Sequence, residues 1–387
     1  MITNNDPYSP LPTPHSPFEL LCFGNAMVDV FASADPAWLD RLGITEPVQH
    51  IPRELAQRIL DELILAKNTV LSSGGAAANV AKIAAMLDIK SAFAGCVGLP
   101  AAVGTAAAGT AAVGMAAASG NNTAAGNLAA IFKNDLETAG VVPLLSAGNE
   151  KTGLCFEFNC NGFTRIAASP GAALEFSESN VPEELIPQAE AVVLDGYMLD
   201  RRPLVQHIMH LASRHGIPIA LDAASVFQIK EKTEDILQYS RNYPLIVFMN
   251  ADEAIVFFNN IKKSNDSLES YSEREKETLI LREICPVLKC ITEGEIFPII
   301  VIKLGGKGAV VLAGGNIYRE ETFAIIPRNT VGAGDAFCAA FISAWIRNKS
   351  IQECAALGNR VAREILLVPG TSIEKGKLKS FTRLLRK

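Results

Sequence analysis

Residues 329–335 read Asn-Thr-Val-Gly-Ala-Gly-Asp, and residues 336–345 continue as Ala-Phe-Cys-Ala-Ala-Phe-Ile-Ser-Ala-Trp. In the second segment, apolar residues recur at three- and four-residue spacing, which predicts a buried helix. The backbone N–H groups of Ala333, Gly334 and Asp335 would then lie unpaired in the first helical turn. Free N–H groups and the helix dipole attract anions, and glycine lets the backbone approach a phosphate closely. We therefore predict an anion hole formed by Gly332, Ala333 and Gly334.

Asp335 places a carboxylate beside this anion hole, where it would repel a phosphate. One interpretation is general-base chemistry, in which Asp335 takes the proton of a hydroxyl that attacks a bound phosphoryl group. The other is a helix cap, because aspartate is favoured near helix N-termini. The motif alone leaves both interpretations open.

The composition describes an ordinary globular protein of 387 residues, with 49% hydrophobic and 20% charged residues. A net charge of −6 argues against nucleic acid as a partner. Residues 1–17 lack a basic and an apolar segment, so we predict a disordered tail and not a signal peptide. The eight cysteines show no zinc-ligand spacing, which favours reduced thiols in a cytoplasmic protein.

Short apolar runs alternate with helical patterns along most of the chain, which predicts an α/β fold with a largely parallel sheet. Two regions break this alternation. Residues 28–34 follow the first strand at once, and residues 152–167 form a hairpin pattern around Asn161-Gly162. These strands could form a small separate sheet, for example a lid. The predicted strands are 20–24, 69–72, 92–97, 191–194, 218–221, 245–248 and 298–303, and the predicted helices are 77–87, 128–139, 204–215, 251–258, 273–284, 332–347 and 351–367.

Residues 99–125 are a low-complexity segment of Ala, Gly and Thr. A transmembrane span is one interpretation, but Ala, Gly, Thr and Asn are less apolar than Leu or Ile, and flanking basic residues are sparse. We favour a loop insertion and expect no membrane association.

Three further motifs lie where predicted strands end. Asp29, after Gly24-Asn25-Ala26-Met27-Val28, could bind sugar hydroxyls or serve a turn. Residues 73–81 open a helix with the pair Gly74-Gly75, and Asn79 lies one turn into it. Asn250-Ala251-Asp252-Glu253 could place Glu253 to hold Mg²⁺ through water, or could form a capping box.

Together these motifs resemble the PfkB family of carbohydrate and nucleoside kinases, which are related to ribokinase. Residues 73–81 and 329–341 resemble the family's two glycine signatures, and 250–253 matches its NxxE motif. Lys303-Leu304-Gly305-Gly306-Lys307-Gly308 resembles a turn that flanks the nucleotide. The resemblance spans about residues 18–373 and implies one ribokinase-like kinase domain over 18–375. Residues 23–29 and 194–203 look most like the adenosine-kinase-like branch.

The resemblance implies a doubly wound α/β fold with a small β-sheet lid, and an enzyme that uses ATP and Mg²⁺. It implies that Asp335 is the catalytic base and that residues 332–334 form the anion hole. The residues that it assigns to the acceptor sugar are Asn25, Asp29, Gly74, Gly75 and Asn79. Those that it assigns to Mg²⁺, phosphates and nucleotide are Asn250, Glu253, Lys303, Gly305, Gly308 and Asn359.

Two features depart from the family pattern. Position 329 is Asn where most members have Asp, which argues against activation by potassium. The insertion precedes Ala124-Ala125-Gly126, where the family usually has an acidic turn. These departures motivate a second hypothesis, a catalytically impaired sugar- or nucleotide-binding regulatory protein. A third, a nicotinamide oxidoreductase, lacks a complete GxGxxG after the first strand.

We expect a small-molecule acceptor, with adenosine slightly preferred to a simple sugar. Phe156, Phe158 and Phe163 could form an adenine slot on the lid, or could equally be lid core or a dimer contact. An exposed apolar lid would favour a homodimer.

Overall fold

The computed structural model describes residues 18–67, 69–99, 127–160, 163–264, 268, 271–292, 298–327, 331–367 and 378–386. The predicted tail, Asn329, Gly126 and all of the predicted insertion after Leu99 lie outside the described residues.

In the described residues, nine strands form the larger sheet in the order β14-β13-β12-β11-β10-β9-β1-β5-β6. All neighbours from β12 to β6 run parallel, whereas β12-β13 and β13-β14 are antiparallel. The strands are β1 (Leu20–Phe23), β2 (Met27–Ser33), β3 (Val48–His50), β4 (Val70–Gly74), β5 (Ser91–Gly98), β6 (Val142–Gly148), β7 (Thr152–Cys160), β8 (Phe163–Gly171), β9 (Ala191–Asp195), β10 (Ile219–Asp222), β11 (Leu245–Asn250), β12 (Ile299–Lys303), β13 (Ala309–Ala313) and β14 (Asn316–Glu320).

Helices cover both faces of this sheet, as in a doubly wound fold. Successive residues of β1 point to opposite faces: Leu20 and Cys22 pack in one apolar cluster, Leu21 and Phe23 in the other. The first cluster includes α3, α4, α10 and α11, and the second includes α5, α6 and α7. The helices are α1 (Pro36–Arg41), α2 (Arg53–Leu65), α3 (Ala76–Met86), α4 (Leu128–Ala139), α5 (Arg202–Arg214), α6 (Val226–Asn242), α7 (Ala251–Lys262), α8 (Glu273–Leu279), α9 (Cys285–Ile291), α10 (Ala333–Trp345), α11 (Ile351–Leu366) and α12 (Lys379–Arg386).

The chain reverses direction across the sheet at β1, which pairs with β5 on one side and β9 on the other. Open α/β sheets bind ligands beyond the carboxyl ends of their strands at such a point. The residues that follow β1, β9, β10 and β11 therefore meet at one edge of the sheet.

A second sheet has the order β3-β8-β7-β2-β4, which confirms the separate small sheet. The prediction for residues 69–72 was wrong in one respect, because β4 belongs to this small sheet and not to the large one. Strand β4 pairs antiparallel with β2. Its first residue, Val70, is exposed and lies opposite Phe31 of β2. An apolar run predicts a buried strand but does not indicate which sheet the strand joins, so the sequence could not assign β4 to the small sheet.

Among the described helices, none is long and apolar enough to span a membrane.

Candidate active site

Asp29 lies on β2 directly beside the glycine pair. Its side chain is only 3% exposed. A Cβ on Gly74 would lie 1.8 Å from Asp29 Oδ1, and one on Gly75, whose φ is +91°, would lie 2.3 Å from the Asn25 carbonyl oxygen. Arg201 Nη2 donates a hydrogen bond of 2.6 Å to Asn25 Oδ1. The two glycines therefore let Asp29 and Asn25 pack against the loop that opens α3.

Asn79 and Asp335 join the two glycine motifs, although 256 residues separate them. Asn79 lies in α3 and donates from Nδ2 to Asp335 Oδ2 at 2.9 Å. Burial, together with the negative charge of Asp222, raises the pKa of Asp335 to about 7. Asp335 therefore lies between the helix that the pair Gly74-Gly75 opens and the N-terminus of α10, with a pKa suited to taking a proton near neutral pH.

Gly332 precedes α10 in the left-handed region, with φ +77°, and the helix begins at Ala333. Gly334 faces Lys303 at the end of β12, because a Cβ on Gly334 would lie 3.2 Å from Lys303 Nζ. Lys303 Nζ also forms an ion pair of 2.8 Å with Asp222 Oδ2. An ammonium group and the free N–H groups of a helix N-terminus are thus adjacent, an arrangement that attracts phosphate.

The protonated form of Lys303 is favoured at this position. Burial opposes the charge, but the carboxylates of Asp222 and Glu253 outweigh it and raise the pKa of Lys303 above its ordinary value. Lys303 therefore keeps its positive charge across the neutral range.

Asn250 caps α7 in a full capping box with Glu253, as one of the two interpretations predicts. Asn250 Oδ1 accepts from the Glu253 backbone N–H at 2.9 Å, and the backbone N–H of Asn250 donates to Glu253 Oε2 at 2.8 Å. Asn250 Nδ2 donates to Glu253 Oε1 at 2.7 Å. Burial and Asp222 raise the pKa of Glu253 to about 7. Each oxygen of Glu253 accepts one hydrogen bond from Asn250 and keeps a second lone pair, through which it could accept from the water of a hydrated Mg²⁺ ion.

Beside these groups lies a cavity of about 500 Å³, within the range usual for small-molecule sites. Gly305 and Gly308 have φ of +58° and +95° and form a tight turn at its wall, where the Leu304 N–H donates to the Gly308 carbonyl at 2.7 Å. Asn359 from α11 anchors the same wall by donating to the Glu320 carbonyl at 3.2 Å. The cavity is lined by both polar and apolar side chains, among them Asp222, Asn250, Glu253, Lys303, Asp335, Asn359, Phe323, Ile325, Phe337 and Leu366.

Sequence reasoning did not find Asp195 and Asp222. Each is the last residue of a parallel strand, and each is buried. A carboxylate directly after a predicted apolar strand was the available signal, because strand ends meet at one edge of the sheet.

Sequence reasoning also missed a buried charge network below the glycine pair. Lys82 Nζ donates to the Ser73 carbonyl at 2.6 Å and lies 3.3 Å from Asp135 Oδ2. The Ser73 backbone N–H donates to the same carboxylate oxygen at 2.8 Å. This network ties α3 and α4 to the end of β4. Asp135 lies 53 residues from Lys82 and 62 residues from Ser73 in sequence, so spacing did not indicate that it joins them.

Of the three interpretations of the lid phenylalanines, core packing is the one that fits Phe156 and Phe158. Phe156 and Phe158 are fully buried, stack on each other at 5.7 Å between ring centres, and Phe158 packs edge-on against Trp38 of α1 at 6.0 Å. Their side chains form the core between the small sheet and α1. Phe163 is 49% exposed at the other end of the hairpin.

The fold, together with the groups gathered at this edge of the sheet, indicates a class of enzyme. A doubly wound α/β fold that joins a helix N-terminus, a buried lysine and a carboxyl group is typical of enzymes that transfer phosphoryl groups. The family model for the pfkB family of carbohydrate kinases matches residues 101–376. This match covers well over half of the chain, so the protein belongs to that family and is a carbohydrate or nucleoside kinase.

Individual relatives are distant, and those named here cover from about half to nearly all of the chain. An adenosine kinase from Schizophyllum commune is 23% identical over 366 residues, covering 90% of this chain and 94% of its own length. A 2-dehydro-3-deoxygluconokinase from Haemophilus influenzae is 26% identical over 206 residues, covering 49% and 56% respectively. A solved structure of a probable sugar kinase from Rhizobium etli shares the fold with a TM-score of 0.71 at 21% identity, over 96% of this chain and 98% of its own.

Proposed function

We propose that the protein transfers the γ-phosphoryl group of ATP to a hydroxyl group of a sugar or nucleoside, with Asp335 as general base. The contact between Asn79 and Asp335 carries this proposal, because it joins the acceptor motif to the wall of the large cavity. A base must lie within hydrogen-bond reach of the hydroxyl that it deprotonates. The Asp335 carboxylate meets this requirement, because it contacts Asn79 and also lines the cavity.

The acceptor would lie between the small sheet and the carboxyl end of β1. Asp29 and Asn79 supply an acceptor and a donor for its hydroxyl groups, and Asn25 lies beside them, held by Arg201. Gly74 and Gly75 leave the space that the acceptor and these side chains share. Binding here would hold the attacking hydroxyl close to Asp335, and positioning supplies much of the rate in phosphoryl transfer.

The nucleotide would occupy the 500 Å³ cavity, with its phosphates toward α10. The N–H groups of residues 332–334 and the ammonium of Lys303 face that end and would stabilise the negative charge that develops during transfer. The turn at Gly305 and Gly308 and the side chain of Asn359 form the remaining wall. Mg²⁺, held through water by Glu253, would neutralise phosphate charge.

The acceptor that we favour is adenosine or a similar nucleoside. The support is the similarity to an adenosine kinase over nine-tenths of this chain. The phenylalanine slot no longer supports it, because Phe156 and Phe158 are buried in the lid core.

The test is phosphate transfer from ATP–Mg²⁺ to a panel that contains adenosine, other nucleosides, ribose, fructose and 2-dehydro-3-deoxygluconate. We would run it with and without K⁺ for the wild type, for Asp335→Asn and for Asp61→Asn. Asp61 serves as the matched control because it is exposed on α2 and its carboxylate accepts a hydrogen bond from Gln57. Transfer that disappears only in Asp335→Asn would support the proposal.

Two other results would contradict it. Transfer retained in Asp335→Asn would remove the general-base role. If ATP binds and no acceptor is phosphorylated under any salt or Mg²⁺ condition, the protein acts as a sugar- or nucleotide-binding regulator, which stays the alternative prediction.

A further inference from the structure

Glu157 lies on the inner face of the small sheet, next to the proposed acceptor site. The neighbouring residues Leu154, Phe156 and Phe158 point into the core, so Cys155 and Glu157 point to the opposite face. Strands β2 and β7 pair in parallel with Asp29 opposite Cys155 and Phe31 opposite Glu157. Asp29 and Glu157 therefore project from the same face of two adjacent strands. Glu157 lies two residues further along β7 than Cys155, the residue opposite Asp29.

Glu157 is a buried residue, and its carboxyl group has no protein partner among the described residues. The residue is only 6% exposed. Across the part of the chain that the structure describes, no hydrogen bond or ion pair reaches this carboxyl group, whereas Glu253 is bonded by Asn250 and Asp335 is bonded by Asn79. A buried polar group without a hydrogen bond is costly and rare. Such a group on the wall of a binding site indicates that a ligand supplies the missing partner.

The charges around Glu157 restrict which ligand that is. Burial, then the charges of Asp29 and Asp335, raise the pKa of Glu157 to about 9. The ammonium of Lys82 is already engaged by the Ser73 carbonyl and by Asp135. Glu157 is therefore protonated near neutral pH. Burial and the charges of Asp29 and Asp335, which disfavour its ionised form, would disfavour an anionic group of a ligand in the same way.

Resting on the proposed function, we propose that Glu157 is a specificity-determining residue of the acceptor site. It hydrogen-bonds an O–H or N–H group of an uncharged acceptor, and the face that it forms with Asp29 discriminates against acceptors that carry a carboxylate. Sugars and nucleosides without acidic groups satisfy this requirement, and sugar acids do not.

The test compares an uncharged acceptor with 2-dehydro-3-deoxygluconate, a sugar acid, for the wild type, Glu157→Gln and Glu157→Leu. We expect the wild type to phosphorylate the uncharged acceptor with the higher kcat/KM. Glu157→Leu should lower this kcat/KM by about tenfold to a hundredfold, mainly through KM, because the lost hydrogen bond holds the substrate in ground and transition states alike. Glu157→Gln keeps a hydrogen-bonding group of similar size, so its kcat/KM should lie between those of the wild type and Glu157→Leu. The ratio of kcat/KM for the uncharged acceptor to that for the sugar acid should be highest in the wild type, lower in Glu157→Gln and lowest in Glu157→Leu.

The control is Asn159→Leu, two residues further along the same face of β7 but exposed. It should leave both acceptors' kinetics unchanged, and melting temperatures would show that every variant folds. Unchanged KM for the uncharged acceptor in Glu157→Leu would overturn the inference, as would a wild-type preference for the sugar acid. In both of those results the wild type still transfers phosphate and the proposed function stands. No transfer by the wild type to any acceptor would overturn both.

Discussion

Gly74→Ala tests whether Asp29 binds the acceptor, because the structure leaves no room for a methyl group between them. The added Cβ would lie 1.8 Å from Asp29 Oδ1, 2.0 Å from Cγ and 2.3 Å from Oδ2. Reaching an ordinary contact would displace this buried carboxylate by about 1.5 Å, and a misplacement of about 1 Å can lower the rate about a hundredfold. Gly74 does not have positive φ, so the clash and not backbone strain dominates the effect.

We expect Gly74→Ala to lower kcat/KM for the acceptor by about a hundredfold and to leave KM for ATP within a factor of about two. Overpacking should also lower the free energy of unfolding by about 1–3 kcal/mol. Both quantities are measurable, the first by steady-state kinetics over a range of acceptor concentrations and the second by urea denaturation.

Asp29→Ala and the double variant Gly74→Ala/Asp29→Ala complete the experiment. Removing the Asp29 carboxylate removes the clash, so the double variant should be no less active and no less stable than Asp29→Ala alone. Kinetics of Gly74→Ala within threefold of the wild type, with folding intact, would refute the assignment of Asp29 to acceptor binding.

Three further predictions concern pH and the buried lysines. Because the pKa of Asp335 is raised to about 7 by burial and by Asp222, and a base acts only when deprotonated, kcat/KM should fall about tenfold per pH unit below pH 7 and be level above it. A pH–rate profile without a break between pH 6 and 8 would contradict this. Lys303→Met removes the ammonium that faces α10 and should lower kcat by about a hundredfold to a thousandfold, as single-turnover kinetics would measure; a tenfold effect or less would exclude a role in the transition state. Lys82→Met leaves the Ser73 carbonyl and Asp135 without this partner and should lower the free energy of unfolding by about 1–3 kcal/mol, and an unchanged denaturation midpoint would show that the network does not stabilise α3.

The sequence predicted the fold wherever apolar runs were buried on both faces. The parallel strands β1, β5 and β9 to β12 read as short apolar segments, and β2 interrupted the helix–strand alternation visibly enough to indicate a second sheet. Helices α2 and α6 were missed, although their buried residues recur at the three- and four-residue spacing of an amphipathic helix. The hairpin of β13 and β14 was also missed, because it adds antiparallel strands at an edge that no alternation predicts.

Candidate site residues could be proposed from the sequence where one motif holds several of them together. In our proposal residues 332–334 and the pair Gly74-Gly75 act through their own backbone, so local sequence was enough to suggest them. Asp222 pairs with Lys303, 81 residues away in sequence, and its charge also reaches Asp335. The proposed role of Glu157 depends on the register of two strands. Contacts of that kind become visible when the tertiary structure brings the elements together.

In our proposal, Asp335 deprotonates the acceptor hydroxyl where the motif of Gly74-Gly75 meets that of residues 332–334. The most direct test is single-turnover transfer from radiolabelled ATP with Asp335→Asn, alongside nucleotide binding measured by calorimetry. We expect ATP to bind with unchanged affinity and transfer to slow by about a hundredfold to ten-thousandfold. Transfer at the wild-type rate by the folded variant would contradict it.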